Sequence, residues 1–463
     1  MADASTPQAS ALEQPQFWTM DRVADALGSG PRGATPFSRI STDTRTVAPG
    51  SCFVALRGER FDAHDFLAQA VQSGAAAVVV SDASRAEGLG VSVYVVPDTL
   101  VALGALARYR RRAWGKPVIG VVGTNGKTST KELLRAALGA ARRVHATTGN
   151  YNNLVGVPLT IFAIPDNADI AVIEMGTNQP GEVARLRAIV EPDVVVITSI
   201  AEEHLEGLGD LAGVLREEVS ACDGVKLAVA PSAQPEIGEA ARGRATRVVN
   251  AGLDTGDVRP SAWGIQPDGQ GWLDLNDVHV LVPLRGVHNL RNAMLALTVA
   301  REQGVSVKDA ARGIAAMPAP PMRVNFENHG DTLVINDAYN SNPGSARVAL
   351  ELLAHAGAGR QRVAVLGTML ELGPQADRLH DDVARAALAL PLDLVVGVGA
   401  FADSLKRVAP GDGRVVSGAD PEGAWSALRS RLAPDAVILL KGSRGVRLER
   451  LVPLISEWAS APR

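Results

Sequence analysis

Residues 116–138 read KPVIGVVGTNGKTSTKELLRAAL, and the rest of the chain is read outward from them. The run 117–122 has the length and branched residues of a buried strand. Gly123-Thr124-Asn125-Gly126 breaks it. Lys127-Thr128-Ser129 then opens a helix-period segment with Leu133, Leu134, Ala137 and Leu138 on one face. Strand, glycine loop, Lys-Thr and helix make the layout that binds nucleotide phosphates. Glycines let backbone N–H groups approach the oxygens, and the helix N-terminus adds positive field. Lys127 would reach the terminal phosphates of ATP, and the Thr128 hydroxyl would meet Mg²⁺. The long phosphate-loop pattern asks for glycine at 121, which is Val121 here.

Composition sets the limits. A chain of 463 residues is too long for one ordinary core, so two or three domains are expected. Hydrophobic content of 46% with 21% charged residues fits a soluble globular protein. A net charge of −4 provides no basic field for nucleic acid, so negative substrates must meet local sites. Cys52 and Cys222 make neither a disulfide framework nor a metal cluster and read as ordinary thiols of a reducing cytosol. Residues 1–16 lack a basic and an apolar region, so they read as a disordered tail and not a signal peptide. No run is long enough to span a membrane; 386–401 reads as a helix end, a turn and a strand. The expectation is a cytoplasmic monomer.

The fold class expected is α/β in three domains. Residues 17–114 read as a small N-terminal α/β domain, with strands at 52–56 and 75–80 and helices at 65–73 and 99–113. Arg108, Arg110, Arg111 and Arg112 near the end of the last helix read as a solvated basic face. Residues 115–319 alternate strand and helix as in an open, mainly parallel sheet. Further strands fall at 170–173, 194–197, 227–230 and 246–250, then an antiparallel ribbon at 263–284 and a helix at 288–302. Pro318-Ala319-Pro320-Pro321 is a stiff linker. Residues 320–463 form a Rossmann-like domain with strands at 333–337, 362–366, 394–398 and 436–440. It has no G-x-G-x-x-G fingerprint, so no dinucleotide is expected.

Several polar constellations sit where strands end. Thr147-Thr148-Gly149-Asn150-Tyr151-Asn152-Asn153 suits phosphate or sugar contacts, or is a capped turn. Glu174 ends an apolar strand, where a hard oxygen suits Mg²⁺; the alternative is a solvent-facing strand end. His204 follows the next strand, in Glu202-Glu203-His204-Leu205. Glu217 and Glu218 lie beyond it, and on spacing alone they are an acidic helix face. Asp43 and Arg45, around Thr44, either contact a ligand or cap a turn and pair. Lys441 and Arg444 follow the last strand. They stabilise phosphoryl oxygens, hold a carboxylate, or are surface charges at a helix start.

In this order the motifs resemble the Mur ligase and folylpolyglutamate synthetase superfamily, and the Mur ligases over nearly the whole chain. The shorter loop G-T-N-G-K-T is similar to theirs. The resemblance implies uridine-diphosphate binding around Asp43, Thr44 and Arg45. It implies substrate contacts from Thr147, Thr148, Asn150, Asn152, Asn153, Lys441 and Arg444. ATP contacts are implied for Gly123, Thr124, Asn125, Gly126, Lys127, Thr128, Ser129, Asn292 (facing adenine), Arg323, Asp337, Tyr339 and Asn342. The resemblance also implies catalysis by Lys127, Glu174, His204 and Glu218, and Mg²⁺ ligation by Thr128, Glu174, His204 and Glu218. Glu218 stands where family members carry a carbamylated lysine, a long-armed carboxylate; we expect Glu218 to supply that carboxylate directly, with Glu217 as fallback. Thr368 stands where the family's G-D-M-x-E-L-G has Asp. The motifs N-Y-N-N-x-x-G-V-P, M-L-E-L-G and D-A-Y-N-x-N-P imply UDP-N-acetylmuramoyl-tripeptide and D-alanyl-D-alanine as substrates, joined through an acyl phosphate. The alternatives are another amide ligase of the superfamily, or a non-catalytic nucleotide-sugar binder.

Overall fold

The computed structural model describes residues 12–58, 61–266, 268–318 and 320–461. Contacts group the chain into two units. One is Met1–Gly120 with Arg142–Gly176 and Gly181–Val194; the other is Val121–Ala141 with Thr177–Pro180 and Val195–Arg463.

In the first unit, strands Ile40–Ser41, Ser51–Val54, Ala75–Val80 and Ser92–Val95 make a parallel sheet in that order. Its core is Phe53, Leu67, Val78 and Val80 with small alanines between, each large side chain worth about 2 kcal/mol when withdrawn from water. The expected disordered tail lies outside the described residues as far as 11. Gln14 departs from that expectation: its amide donates to the Ile40 carbonyl at 2.9 Å and accepts from the Ile40 N–H at 3.0 Å. Those bonds satisfy an edge-strand residue, which is why the segment is fixed there.

Helix Thr99–Trp114 starts on Asp98, which accepts from the Leu100 and Val101 N–H groups, and stops at Gly115 with φ 68°. A solvated basic face is found for Arg108 and Arg112, both paired with Glu191. It is not found for Arg110 and Arg111, which are 2% and 8% exposed. Arg110 donates to the Ile164 carbonyl and to Asp166. Arg111 donates to the carbonyls of Val190 and Glu191 and to Asp193. A guanidinium fork can satisfy several buried oxygens at once, so arginine stems here pack inward. Within this unit the start of strand Val118–Val122 lies beside Ile170–Glu174, which pairs in parallel with Val144–Ala146.

In the second unit the end of Val118–Val122 lies beside Val194–Ile197. Leu227–Pro231 and Arg247–Ala251 follow, the last two in parallel. Ala262–Ile265, Gln270–Leu275 and Val278–Arg285 form the expected antiparallel ribbon. The C-terminal sheet runs Asn325–His329, Thr332–Asp337, Val437–Lys441, Arg362–Gly367, Leu394–Val398, Val415–Gly418; only the first strand is antiparallel. Its parallel register sets Asp337 opposite Lys441 at the carboxyl edge, the edge where open α/β sheets collect ligands. Of the proline linker, Ala319 lies outside the described residues. Both cysteines are free and buried. Among the described residues no helix is long and apolar enough to cross a membrane.

Candidate active site

The phosphate loop is built by close backbone approaches. Gly123 has φ 118°, and a Cβ there would come 2.4 Å from the Thr198 hydroxyl. Its N–H donates to Glu218 Oε2 at 2.8 Å. The Thr124 N–H donates to the Ser199 carbonyl at 2.8 Å, and the Asn125 N–H donates to the Ser199 hydroxyl at 3.1 Å. Gly126, at φ 84°, precedes helix Lys127–Gly139, and no side chain caps that helix. The end is left with the field that favours an anion. A Cβ on Gly126 would stand 2.8 Å from the Asn292 amide. Asn292 is thus buried behind the loop, donating to Asn289 at 3.2 Å, and braces it. Lys127 Nζ donates to the carbonyls of Gly123 and Thr124.

Glu218 is 2% exposed, not part of a solvated acidic face. Burial pushes its carboxyl up from the ordinary value, against the pull of Lys127 and of the Gly123 N–H; the charge of Glu203 pushes the same way. Glu217 is buried as well. Glu203, 7% exposed, accepts from Asn340 Nδ2 at 2.7 Å through Oε1. Its Oε2 is buried without a hydrogen-bond partner. His204 has a left-handed backbone, φ 53°, and its Nδ1 meets the Glu371 carboxylate; φ at Glu371 is 63°. Among the described residues no three His, Cys, Asp or Glu side chains are arranged to hold a metal by themselves. The donor set nevertheless fits Mg²⁺, which takes one or two carboxylates and fills its shell with phosphate oxygens and water. The orphaned oxygen of Glu203 beside the loop is the observation that supports the fit.

The second unit also joins motifs far apart in sequence. Asn125 of the loop and Asn342 exchange amide hydrogen bonds of 3.2 and 2.8 Å. Asn342 also caps helix Pro343–Ala356 in a capping box. Arg323 stacks over Tyr339, 4.2 Å from the ring centre. Lys441, expected at substrate, is 3% exposed; it lies 3.0 Å from Asp337 and donates to the Asn340 carbonyl. Arg444 pairs with Glu449 at 2.7 Å. The structure therefore engages both in internal pairs, because carboxylates already stand beside them. Thr368 accepts the Ala400 N–H at 2.9 Å, which ties the start of helix Ala400–Val408 to the end of strand Arg362–Gly367.

In the first unit, Glu174 is 2% exposed, so the solvent-facing alternative does not hold. Its N–H donates to the Thr147 hydroxyl at 2.9 Å, and Oε1 accepts from Asn152 at 2.9 Å. Asn153 accepts the N–H groups of Val155 and Gly156, closing the turn ahead of helix Gly156–Phe162; Thr148 and Asn150 are exposed. Asp43 caps the turn Thr44–Thr46 and pairs with Arg45 at 2.6 Å. That pairing holds Asp43 well below the usual carboxylate range. Ser41, Thr42, Asp43 and Thr46 line a pocket together with Gln14, Tyr151 and Leu159. Sequence reasoning missed Gln14 and Tyr151 in that lining, and Glu203 and Glu371 in the other unit. The only signal was that three of them stood inside motifs already quoted.

Three consecutive stretches match known family descriptions. Residues 36–111 match the Mur ligase family catalytic domain, 121–300 the Mur ligase middle domain, and 322–444 the Mur ligase glutamate ligase domain. The chain belongs to the Mur ligase family, and its α/β architecture is the three-domain one of that family. Among its relatives is the UDP-N-acetylmuramoyl-tripeptide--D-alanyl-D-alanine ligase of Bacillus subtilis (strain 168), 34% identical over 444 residues, 93% of this chain and 96% of the relative. The Escherichia coli (strain K12) protein of the same name is 33% identical over 95% of this chain and 98% of its own. A crystal structure of MurF from Acinetobacter baumannii superposes with a TM-score of 0.87 at 31% identity, covering 96% of this chain and all of that one. MurF from Thermotoga maritima in complex with ADP gives 0.80 at 27% identity, over 91% and 97%.

Proposed function

We propose that this chain is the ATP-dependent ligase that joins D-alanyl-D-alanine to UDP-N-acetylmuramoyl-tripeptide in peptidoglycan precursor synthesis. The observation that carries it is similarity over 93% and 95% of the chain to two ligases of that name, with a phosphate loop whose lysine is left to backbone carbonyls. The parts act as follows. The uncapped helix end after Gly126 and Lys127 hold the triphosphate. Thr128, Glu174, His204 and Glu218 are the residues that would hold Mg²⁺, which would supply neutralisation of phosphate charge. Carboxylates are poor acyl donors, so ATP installs a leaving group: the tripeptide carboxylate attacks the γ-phosphorus, ADP departs, and an acyl phosphate forms. The D-alanyl-D-alanine amine adds to its carbonyl, and phosphate leaves from the tetrahedral adduct. Positioning and charge stabilisation supply the rate.

Thr147, Thr148, Asn150, Asn152 and Asn153, with Lys441 and Arg444, are assigned to substrate. Asp43, Thr44 and Arg45 with the pocket beside them take the uridine diphosphate. Asn292, Arg323, Asp337, Tyr339 and Asn342 surround ATP. We assign domains 17–114, 115–319 and 320–463, a cytoplasmic location and a monomer. Phosphate release with UDP-N-acetylmuramoyl-tripeptide and Mg-ATP tests the reading. Release that requires D-alanyl-D-alanine is expected; none with both substrates present would move the chain to another acceptor or a binding role.

A further inference from the structure

Glu203 stands next to His204, and the mechanism above gives it no task. Its carboxylate is buried, one oxygen bonded to Asn340 and the other without a hydrogen-bond partner. A buried carboxylate oxygen left in that state is costly unless a cation answers it. Oε2 lies 3.9 Å from His204 Nε2. The His204 ring is held from its other side, because Nδ1 meets Glu371. Nε2 is therefore the nitrogen presented toward Glu203. Lys127, the cation of the loop, is occupied by two backbone carbonyls and has no ion pair among the described residues. Two buried carboxylates, Glu203 and Glu218, thus stand where the triphosphate of ATP would add more negative charge. Only a cation of high charge density makes that arrangement favourable, and hard oxygen donors select a divalent one.

We propose that Glu203 is a ligand of the divalent cation at the phosphate loop, binding through Oε2 while Asn340 holds Oε1. The assignment rests on the nucleotide-binding reading above and adds a donor that reading lacks. Asn340 fixes the carboxylate as a one-oxygen ligand. Because Asn340 belongs to the loop after strand Thr332–Asp337, seating the cation depends on a C-terminal side chain as well as on the loop.

The test is Mn²⁺ titration followed by electron paramagnetic resonance, on the full chain with a non-hydrolysable ATP analogue. E203Q keeps the shape and an oxygen for Asn340 but removes the charge. Expected is Mn²⁺ binding weakened by about 10-fold or more, with metal-free affinity for the analogue unchanged and the metal-free melting temperature unchanged or higher. N340A, which keeps the charge and frees the carboxylate, should weaken Mn²⁺ binding by about 10-fold; it carries the test if E203Q does not fold. Wild-type Mn²⁺ affinity in either folded variant overturns the proposal. So does an equal loss of metal-free analogue binding in E203Q, which would mean that Glu203 only shapes the loop. Failure of phosphate release in the wild-type assay would sink the ligase reading without altering these titrations.

Discussion

Lys127 and Lys441 begin alike. Lys127 lies just past a strand buried on both faces and Lys441 ends one; each has a glycine beside it, and each was expected to meet phosphate or substrate. Their directly bonded partners differ by one carboxylate. Lys127 donates to the carbonyls of Gly123 and Thr124, partners that a triphosphate outcompetes. Lys441 lies 3.0 Å from Asp337 in a sheet register that fixes the two opposite each other. A lysine bonded to a carboxylate must share that partner to take a ligand; one bonded only to carbonyls, with Glu218 acting on it from farther off, keeps more of its charge for one. Residue type and strand-end position do not separate the two cases, whereas the neighbouring strand does.

The widest separation is expected in activity. K127A should lower turnover by about 10²- to 10³-fold or more with little change in melting temperature, measured by phosphate release and thermal denaturation; a normal rate would dissolve the contrast. K441M should instead destabilise folding, by about 3 kcal/mol in urea denaturation, because it strands Asp337 in the interior. The double variant K441M/D337L should recover much of the loss.

His288 sharpens the same corner. Burial pushes its imidazole down to about 4, with Asp337 pulling up and Lys441 pushing down. Its folded value lies below the unfolded 6.5. The unfolded chain therefore binds the extra proton between those limits, and stability falls as pH drops from about 6.5 to 4. The full effect approaches about 3 kcal/mol. H288Q should flatten the profile, and K441M should narrow the window by letting the folded imidazole protonate sooner; a flat wild-type profile would contradict the burial.

G126A should raise KM for ATP by about 10-fold, since a left-handed alanine costs about 1–2 kcal/mol and meets Asn292. The smallest effect belongs to R45A. Its exposed pair with Asp43 should leave the melting temperature unmoved, while KM for the UDP substrate rises several-fold; an unchanged KM would remove Arg45 from the substrate site.

The phosphate loop and the strands around it were legible because their signals are local. Val121 and Val122 are branched and apolar, and Gly123 and Gly126 mark turns within a few residues. The strand 394–398 falls where expected. Strand Asn325–His329 was not legible: apart from Phe326 its residues are polar and none is buried, so no apolar period marks it. The inward Arg110 and Arg111 were unreadable for another reason. Nothing in their own helix says that the carbonyls of 164 and 190 will lie beside them. Glu203 with Asn340 and His204 with Glu371 are separated by 137 and 167 residues. The sequence offers both members of each pair and no sign that they meet.

Arg323 is flanked by Met322 and Val324, both left-handed, at φ 53° and 59°. Neither is glycine, so each costs the backbone about 1–3 kcal/mol. What holds the kink comes later in the chain: Tyr339 under the arginine, and Arg444, which donates to the Met322 sulfur from 122 residues downstream. During synthesis this joint therefore cannot set when it leaves the ribosome. It waits, relaxed, until the C-terminal sheet has been made almost to its end, so the segment between helix Val307–Ala315 and strand Asn325–His329 is among the last parts of that sheet's surroundings to take shape.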